Sequence, residues 1–150
     1  MANHNPAGFP VQVGINNVGS YQVSGRPFAT GSCSNGGSGA ATPGYVYVKF
    51  PYVTRWFQII NKSHDTLRVA FSFEGLNIAD SGSENFHFDV PASSSGGGYG
   101  MTPCYEMKVS GLYCEQLGAS PNGTFDVVAG LTSIDARRTD KNFTGSYTGV

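Results

Sequence analysis

Two stretches near the middle of the chain decide the fold: RWFQII at residues 55–60 and LRVAFSF at residues 67–73. The second stretch has a large apolar side chain at every second position, namely Leu67, Val69, Phe71 and Phe73. A pleated strand places such residues on one face. The first stretch is rich in aromatic and β-branched residues, and the polar segment NKSHD at residues 61–65 separates the two. The pattern predicts two strands that face one buried layer and are joined as a hairpin.

The same alternation of short strands and polar turns recurs along the chain. Further strands are predicted at residues 18–23, 45–50, 86–90, 105–109, 112–114 and 125–132. No segment has sustained helical spacing. About eight strands with two Gly- and Ser-rich connectors of 10 or more residues predict an all-β fold, an antiparallel two-sheet sandwich of the single jelly-roll type. An immunoglobulin-like sandwich is the alternative, although the Cys and Trp spacing of a true immunoglobulin domain is missing.

Composition divides the chain into three parts. Residues 1–24 hold Pro and Gly among Asn residues and are predicted to form an extended N-terminal arm, with apolar alternation at Phe9, Val11, Val13 and Ile15. Residues 25–134 form the predicted jelly-roll domain. Within it, residues 25–44 and 92–102 are predicted to be mobile loops, because Gly and Ser bury too little apolar surface to offset the entropy of ordering. Residues 135–150 are a predicted C-terminal tail.

The charge balance bears on partners. Only 13% of residues are charged, about half of the ~25% typical of soluble domains, which favours a surface covered by neighbouring subunits. The formal net charge of −1 gives no long-range attraction to phosphate backbones, so nucleic acid is not predicted as a partner. The first residues lack a basic start and an apolar stretch, and no segment approaches the roughly 18 apolar residues of a membrane span. Neither classical secretion nor direct membrane insertion is predicted.

Residues that could do chemistry are scattered. The three histidines, His4, His64 and His87, fall on an arm, a turn and a strand, so no metal site or other cofactor is predicted. Acids that could act as a glycosidase pair are candidates by type alone: Glu74, Asp80, Glu84, Asp89 and Glu106. The prediction is that the protein is not an enzyme, and a hydrolase using Glu84 or Asp89 is the remaining enzyme hypothesis.

The cysteines and aromatic residues leave alternatives open. Cys33, Cys104 and Cys114 are odd in number without metal-type spacing, which suits a reducing compartment; a Cys104–Cys114 bridge requires adjacent strands. Seven aromatic side chains form either a sugar-stacking platform or, as the favoured interpretation, parts of the core and of seams between subunits: Trp56, Tyr45, Tyr47, Tyr52, Tyr99, Tyr105 and Tyr113. Tyr99 lies in a predicted loop, where it could contact a neighbour or a ligand.

Three segments together carry a resemblance to a known family: VKFPYVTRWFQIIN at 48–61, LRVAFS at 67–72 and FDVVAGLTSI at 125–134. They resemble the single-jelly-roll vertex, or penton, capsid proteins of large icosahedral double-stranded DNA viruses. The likeness covers about half of the chain and is structural. It implies a homopentamer that closes a five-fold vertex of the virion, assembled inside the host cell. Neighbours would be major capsid protein and minor capsid proteins, and no active site is implied.

This resemblance makes the arm and the tail the first interface candidates. The residues concerned are Phe9, Val11, Val13, Ile15, Arg137, Arg138 and Phe143. A broad face contributed by Arg55, Gln58, Arg68 and Glu106 is also predicted to meet neighbours. The alternatives are a capsid decoration protein and a carbohydrate-binding host-attachment sandwich that uses Tyr99.

Overall fold

The computed structural model describes residues 26–34, 44–76, 87–93, 98–118 and 123–138. The strands in these ranges are β1 (Arg26–Cys33), β2 (Tyr45–Lys49), β3 (Tyr52–Asn61), β4 (Leu67–Ala70), β5 (His87–Val90), β6 (Gly100–Met101), β7 (Gly111–Gln116) and β8 (Phe125–Asp135). A single helical turn, α1 (Phe73–Leu76), follows β4, and a 3-10 turn, Ala136–Arg138, follows β8.

The strands form two antiparallel four-stranded sheets, ordered β1-β8-β3-β6 and β2-β7-β4-β5. The first strand pairs with the eighth, the second with the seventh, the third with the sixth and the fourth with the fifth. The two halves of the chain therefore run as one antiparallel ribbon, and successive pairs alternate between the two sheets. This is the winding of a jelly roll, so the predicted all-β two-sheet sandwich is confirmed.

The core lies between the sheets. Its fully buried side chains come from both layers and include Phe57, Ile59, Leu67, Val69, Leu112, Phe125 and Val127. Burying one such side chain contributes about 1.5–3 kcal/mol, which makes this layer the main source of stability. The predicted inward face of residues 67–73 is correct for its first half. Phe71 is only partly buried against the core, and Phe73 is 44% exposed because the strand ends at Ala70 and α1 begins.

The predicted hairpin between residues 55–60 and 67–73 is wrong. β3 pairs with β8 and β6, whereas β4 pairs with β7 and β5, so the segment between them crosses from one sheet to the other. Buried Asn61 holds this crossing: its Nδ2 donates to the carbonyls of Asp65 and Pro91, both at 2.9 Å, and its Oδ1 accepts from the Ser63 amide at 3.0 Å. Both arrangements put the apolar faces on one buried layer, so the sequence pattern does not separate them.

The predicted mobile loop at 25–44 contains a strand. β1 is an edge strand with mostly exposed side chains, and it pairs with β8 from Arg26 opposite Leu131 to Thr30 opposite Val127. An edge strand needs few apolar residues when its backbone is bonded to a well-packed neighbour, and this is why composition did not reveal it. Ser32 has a φ of 57° at the register shift before Cys33, and its amide donates to Asp126 Oδ1 at 2.9 Å.

The second predicted loop and the strand predicted after it are exchanged in part. β6 lies inside the predicted loop 92–102, whereas residues 105–109 form no regular strand. Tyr105 instead makes an isolated bridge to Phe57, and the Thr54 amide donates to the Val109 carbonyl at 3.0 Å. A Cβ on Gly100 would lie 1.7 Å from the Pro91 carbonyl oxygen, so only glycine fits there. Residues 100–109 thus cover the open side of β3 as an irregular ribbon.

Several predicted segments lie outside the described residues: the arm at 1–24 with its strand at 18–23, and the tail beyond residue 138. Asp135, predicted to begin the tail, is the last residue of β8. In the part of the chain that the structure describes, no helix has the length and apolar character needed to cross a membrane.

Candidate interaction surfaces

The outer face of the β2-β7-β4-β5 sheet carries a cluster of aromatic side chains. Val48 of β2 and Leu112 and Cys114 of β7 point into the core, so the alternate residues of these strands point outward. The pairing register sets Tyr47 directly opposite Tyr113. The aromatic face is defined by Tyr45, Tyr47, Phe73 and Tyr113.

These four rings touch one another. Ring centroids lie 4.4 Å apart for Tyr47 and Tyr113, 5.1 Å for Tyr45 and Phe73, 6.0 Å for Tyr45 and Tyr113, and 6.3 Å for Phe73 and Tyr113. These separations are typical of favourable aromatic pairs. A Cβ on Gly111 would approach the Tyr47 ring to 2.6 Å, so that ring lies against the backbone of β7. Tyr47 is nevertheless 40% exposed, which leaves an ordered aromatic surface open to solvent.

A row of charged residues borders the aromatic face. Glu115, Arg68 and Asp89 lie opposite one another on β7, β4 and β5. Arg68 Nε is 3.2 Å from Asp89 Oδ1. Burial raises the pKa of Glu115, and the positive charge of Arg68 and the neighbouring His87 partly oppose that shift. The row therefore presents one internally paired arginine and a carboxyl group whose surroundings disfavour its charged form.

The outer face of the β1-β8-β3-β6 sheet is also apolar. Phe57 and Ile59 of β3 are fully buried, so Trp56 and Ile60 point outward. Across the sheet, Gly130 lies opposite both Pro27 and Trp56, Val128 opposite both Ala29 and Gln58, and Ile60 opposite both Asp126 and Met101. The Trp56 face is defined by Pro27, Ala29, Trp56, Ile60, Met101 and Val128.

Trp56 is the single tryptophan of the chain, and it lies half-buried on this face outside the core cluster. At one end of the face, Asp126 Oδ2 forms an ion pair with Lys62, and its Oδ1 accepts from the Ser32 amide at 2.9 Å. Burial acts to raise the pKa of Asp126, but the hydrogen bonds from Lys62 and Ser32 and the charge of Lys62 lower it overall. This carboxylate is therefore stabilised in its charged form by its own chain.

The broad polar face predicted from the sequence does not exist. Arg55 and Gln58 belong to β3, whereas Arg68 belongs to β4 in the other sheet, and Glu106 is exposed on the ribbon. The error follows from the predicted hairpin, which placed β3 and β4 side by side. Arg55 is an extra residue on β3, at a register shift between Thr54 and Trp56.

Of the predicted interface residues, Arg137 is described. It lines a shallow cleft of about 550 Å³ together with Lys49, Pro51, Tyr52 and Asp135, and its amide donates to Asp135 Oδ1 at 3.0 Å. Arg26, the first residue of β1, donates to the Tyr52 hydroxyl at 3.0 Å. The two outermost described ends of the chain therefore meet at this cleft. The remaining interface predictions, namely Phe9, Val11, Val13, Ile15 and Phe143 and the side chain of Arg138, lie outside the described residues.

The predicted aromatic set divides among three environments. Tyr45, Tyr47 and Tyr113 share the aromatic face, Tyr105 packs against Phe57 with centroids 5.5 Å apart, and Tyr99 is 58% exposed before β6. Sequence reasoning missed Phe73, which was predicted to point inward, and missed the Trp56 face altogether. The available signal was the apolar character of both faces in YVYV at 45–48 and WFQII at 56–60, because antiparallel strands with one solvated face normally alternate with polar residues.

The described residues also bear on the chemistry that was considered. Among them, no group of three or more His, Cys, Asp or Glu side chains is placed to hold a metal ion. Cys33, Cys104 and Cys114 are free thiols, so the Cys104–Cys114 bridge is not formed. Burial, with a smaller contribution from nearby Cys33, raises the pKa of the Cys114 thiol, which keeps it protonated within the core.

Comparison of the chain with protein-family models, curated proteins and solved structures finds no match in any of the three.

Proposed function

We propose that this protein is a structural subunit of a viral capsid, a penton that forms the five-fold vertices as a homopentamer and contacts major and minor capsid proteins. One observation carries the proposal: both outer sheet faces of the jelly roll bear clusters of exposed apolar side chains, on opposite sides of one core. Large exposed apolar patches on a small domain mark interaction surfaces.

Ring assembly gives these two faces a role. A closed ring of identical subunits is built from heterologous contacts, in which two different patches of the subunit meet. This chain has two unlike patches, one aromatic and one formed by Trp56 with aliphatic residues. Its low content of charged residues, 13%, also limits the cost of burying surface. The resemblance of residues 48–61, 67–72 and 125–134 to penton proteins supports the capsid class and the number five.

Native mass spectrometry of the purified chain tests the proposal. We expect a complex of five copies of the 15.8 kDa chain, and ring-shaped particles by negative-stain electron microscopy. A trimer would favour the decoration-protein hypothesis instead. A protein that stays monomeric at every concentration tested would contradict ring assembly.

Carbohydrate binding is the second candidate, favoured by the exposure of Tyr99, which is 58% accessible in its loop. An exposed ring can stack on a sugar. Glycan-array binding that is lost in Tyr99→Ala and retained in Leu117→Ala, a control at an apolar residue that is 43% exposed, would support this candidate. Absence of binding by the wild-type protein would exclude it for the sugars on the array.

A further inference from the structure

We propose that the aromatic face of one copy docks onto the Trp56 face of the next copy, and that this single type of contact closes the ring. The inference rests on the proposed ring assembly and names the residues that carry it. Tyr47 and Tyr113 lie at the centre of one partner surface, and Trp56 and Val128 at the centre of the other.

The two faces are suited to a second copy because they are unlike and lie on opposite sides of the subunit. Contact of the aromatic face with itself would give a two-fold dimer and leave Trp56 and Met101 uncovered, the latter 54% exposed. Heterologous contact covers both faces at every junction. Tyrosine and tryptophan are also the residues that most often dominate binding energy in protein interfaces.

The charges around the two faces are compatible with burial. Arg68 is paired with Asp89 on the rim of the aromatic face, and Lys62 is paired with Asp126 at the end of the Trp56 face. Docking therefore strands no isolated charge of these pairs, which would be costly. Arg68 Nη1 is buried without a hydrogen-bond partner among the described residues, and an acceptor from a docked copy would satisfy it.

Aspartate substitutions test each face separately. We expect Tyr47→Asp and Trp56→Asp each to convert the pentamer to monomer in native mass spectrometry. Met107→Asp is the matched control, since Met107 lies on the ribbon away from both faces and is 39% exposed, compared with 40% for Tyr47. The control should remain pentameric. Circular dichroism establishes that each variant is folded; Ala29→Asp, at an exposed edge-strand position, and Phe73→Ser replace any variant that is not.

Mixing the two variants is the decisive step. A Tyr47→Asp copy keeps an intact Trp56 face, and a Trp56→Asp copy keeps an intact aromatic face, so the pair can form one correct junction and no second one. We expect a 1:1 heterodimer when one variant is isotopically labelled, and no dimer of either variant alone. Trp56 also reports on the contact, because its emission should shift to the red in Tyr47→Asp relative to the wild-type pentamer.

Each other outcome overturns the inference in a recognisable way. If both face variants stay pentameric, the ring is closed by other surfaces, while the proposed function stands. If both are monomeric and their mixture gives no heterodimer, the faces do not contact each other. If Tyr47→Asp stays pentameric but loses binding to glycans, the aromatic face is a sugar site. A monomeric wild type would overturn both the inference and the proposed function.

Discussion

Two consecutive residues of β3, Trp56 and Phe57, show how differently the two sides of one sheet are used. Phe57 is fully buried, with ring centroids 5.5 Å from Tyr105 and 6.4 Å from Phe71. Trp56 is the larger side chain, yet it lies half-buried on the opposite side and outside the core cluster. The inner layer accounts for folding of the single subunit, and the outer faces hold apolar surface that folding leaves uncovered.

The largest expected effect separates these two residues. Phe57→Ala should lower the free energy of unfolding by about 3–5 kcal/mol, because it removes a buried ring and leaves a cavity. Trp56→Ala should cost clearly less in the isolated subunit, since half of its environment is solvent. Urea denaturation measures both changes, with Tyr47→Asp as the common background so that assembly does not contribute. Equal losses for the two substitutions would show that Trp56 belongs to the folding core.

The next effect concerns how the ribbon is held onto β3. Thr54 is fully buried; its hydroxyl donates to the Met107 carbonyl at 2.7 Å and accepts from the Val109 amide at 3.0 Å. Thr54→Val keeps the shape but leaves both partners unpaired, so we expect a loss of about 1–3 kcal/mol. Hydrogen exchange at Val109 should accelerate in the variant.

Thr124→Val is the control for that substitution. Thr124 is half-buried, and its carbonyl rather than its hydroxyl accepts a hydrogen bond, from the Lys62 amide at 2.9 Å. Its exchange pattern at Val109 should match the wild type. Unchanged protection of Val109 in Thr54→Val would mean that the ribbon is held without the hydroxyl.

Two glycines sharpen the contrast between interior and surface. At Gly100 an added methyl group meets the backbone carbonyl oxygen of Pro91 at 1.7 Å, whereas at Gly111 it meets the end of the Tyr47 ring at about 2.5 Å. A backbone group cannot move aside, but an exposed ring can swing towards solvent. Gly100→Ala should therefore lower the thermal midpoint by more than Gly111→Ala, with overpacking costs of about 1–3 kcal/mol as the reference.

Gly111→Ala should act on assembly instead. Displacing Tyr47 disorders the aromatic face, so the pentamer should dissociate at a higher protein concentration than the wild type, as followed by native mass spectrometry over a dilution series. Wild-type dilution behaviour combined with a large loss of thermal stability would reverse the assignment of Gly111 to the surface.

The sequence predicted the strands whose side chains alternate sharply and did not predict how they pair. Leu67 and Val69 were placed inward correctly because period-two burial is a local property. The pairing of β3 with β8 joins residues that are far apart in sequence, and a polar turn such as residues 61–65 is compatible with a hairpin or with a crossing between sheets. β1 escaped prediction because its order comes from backbone bonds to β8 and not from its own composition.

The candidate surfaces were harder to predict than the fold. The aromatic residues were recognised by type, and Tyr45, Tyr47 and Tyr113 do share a face, but which of the seven would meet depended on register. Phe73 was assigned inward by extending the alternation of β4 past Ala70, where α1 begins. A residue at the end of a strand has no neighbour to fix its direction, so pattern alone fails there.

The smallest expected effect is the pH dependence of the ion pair at the end of the Trp56 face. The pKa of Asp126 is lowered in the folded protein, so its contribution to stability is present above the ordinary carboxyl value of about 3.9 and is lost as the pH falls through the folded value. Because both partners are partly exposed, the pair should contribute roughly 0.2–1 kcal/mol. Urea denaturation should show Asp126→Asn less stable than the wild type at pH 7, with the difference shrinking towards pH 3. Lys62→Gln closes a double-mutant cycle, in which the second substitution adds little to the first if the two side chains act as a pair. A difference that stays constant down to pH 3, or full additivity of the two substitutions, would assign the effect to the Ser32 amide contact of Asp126 instead.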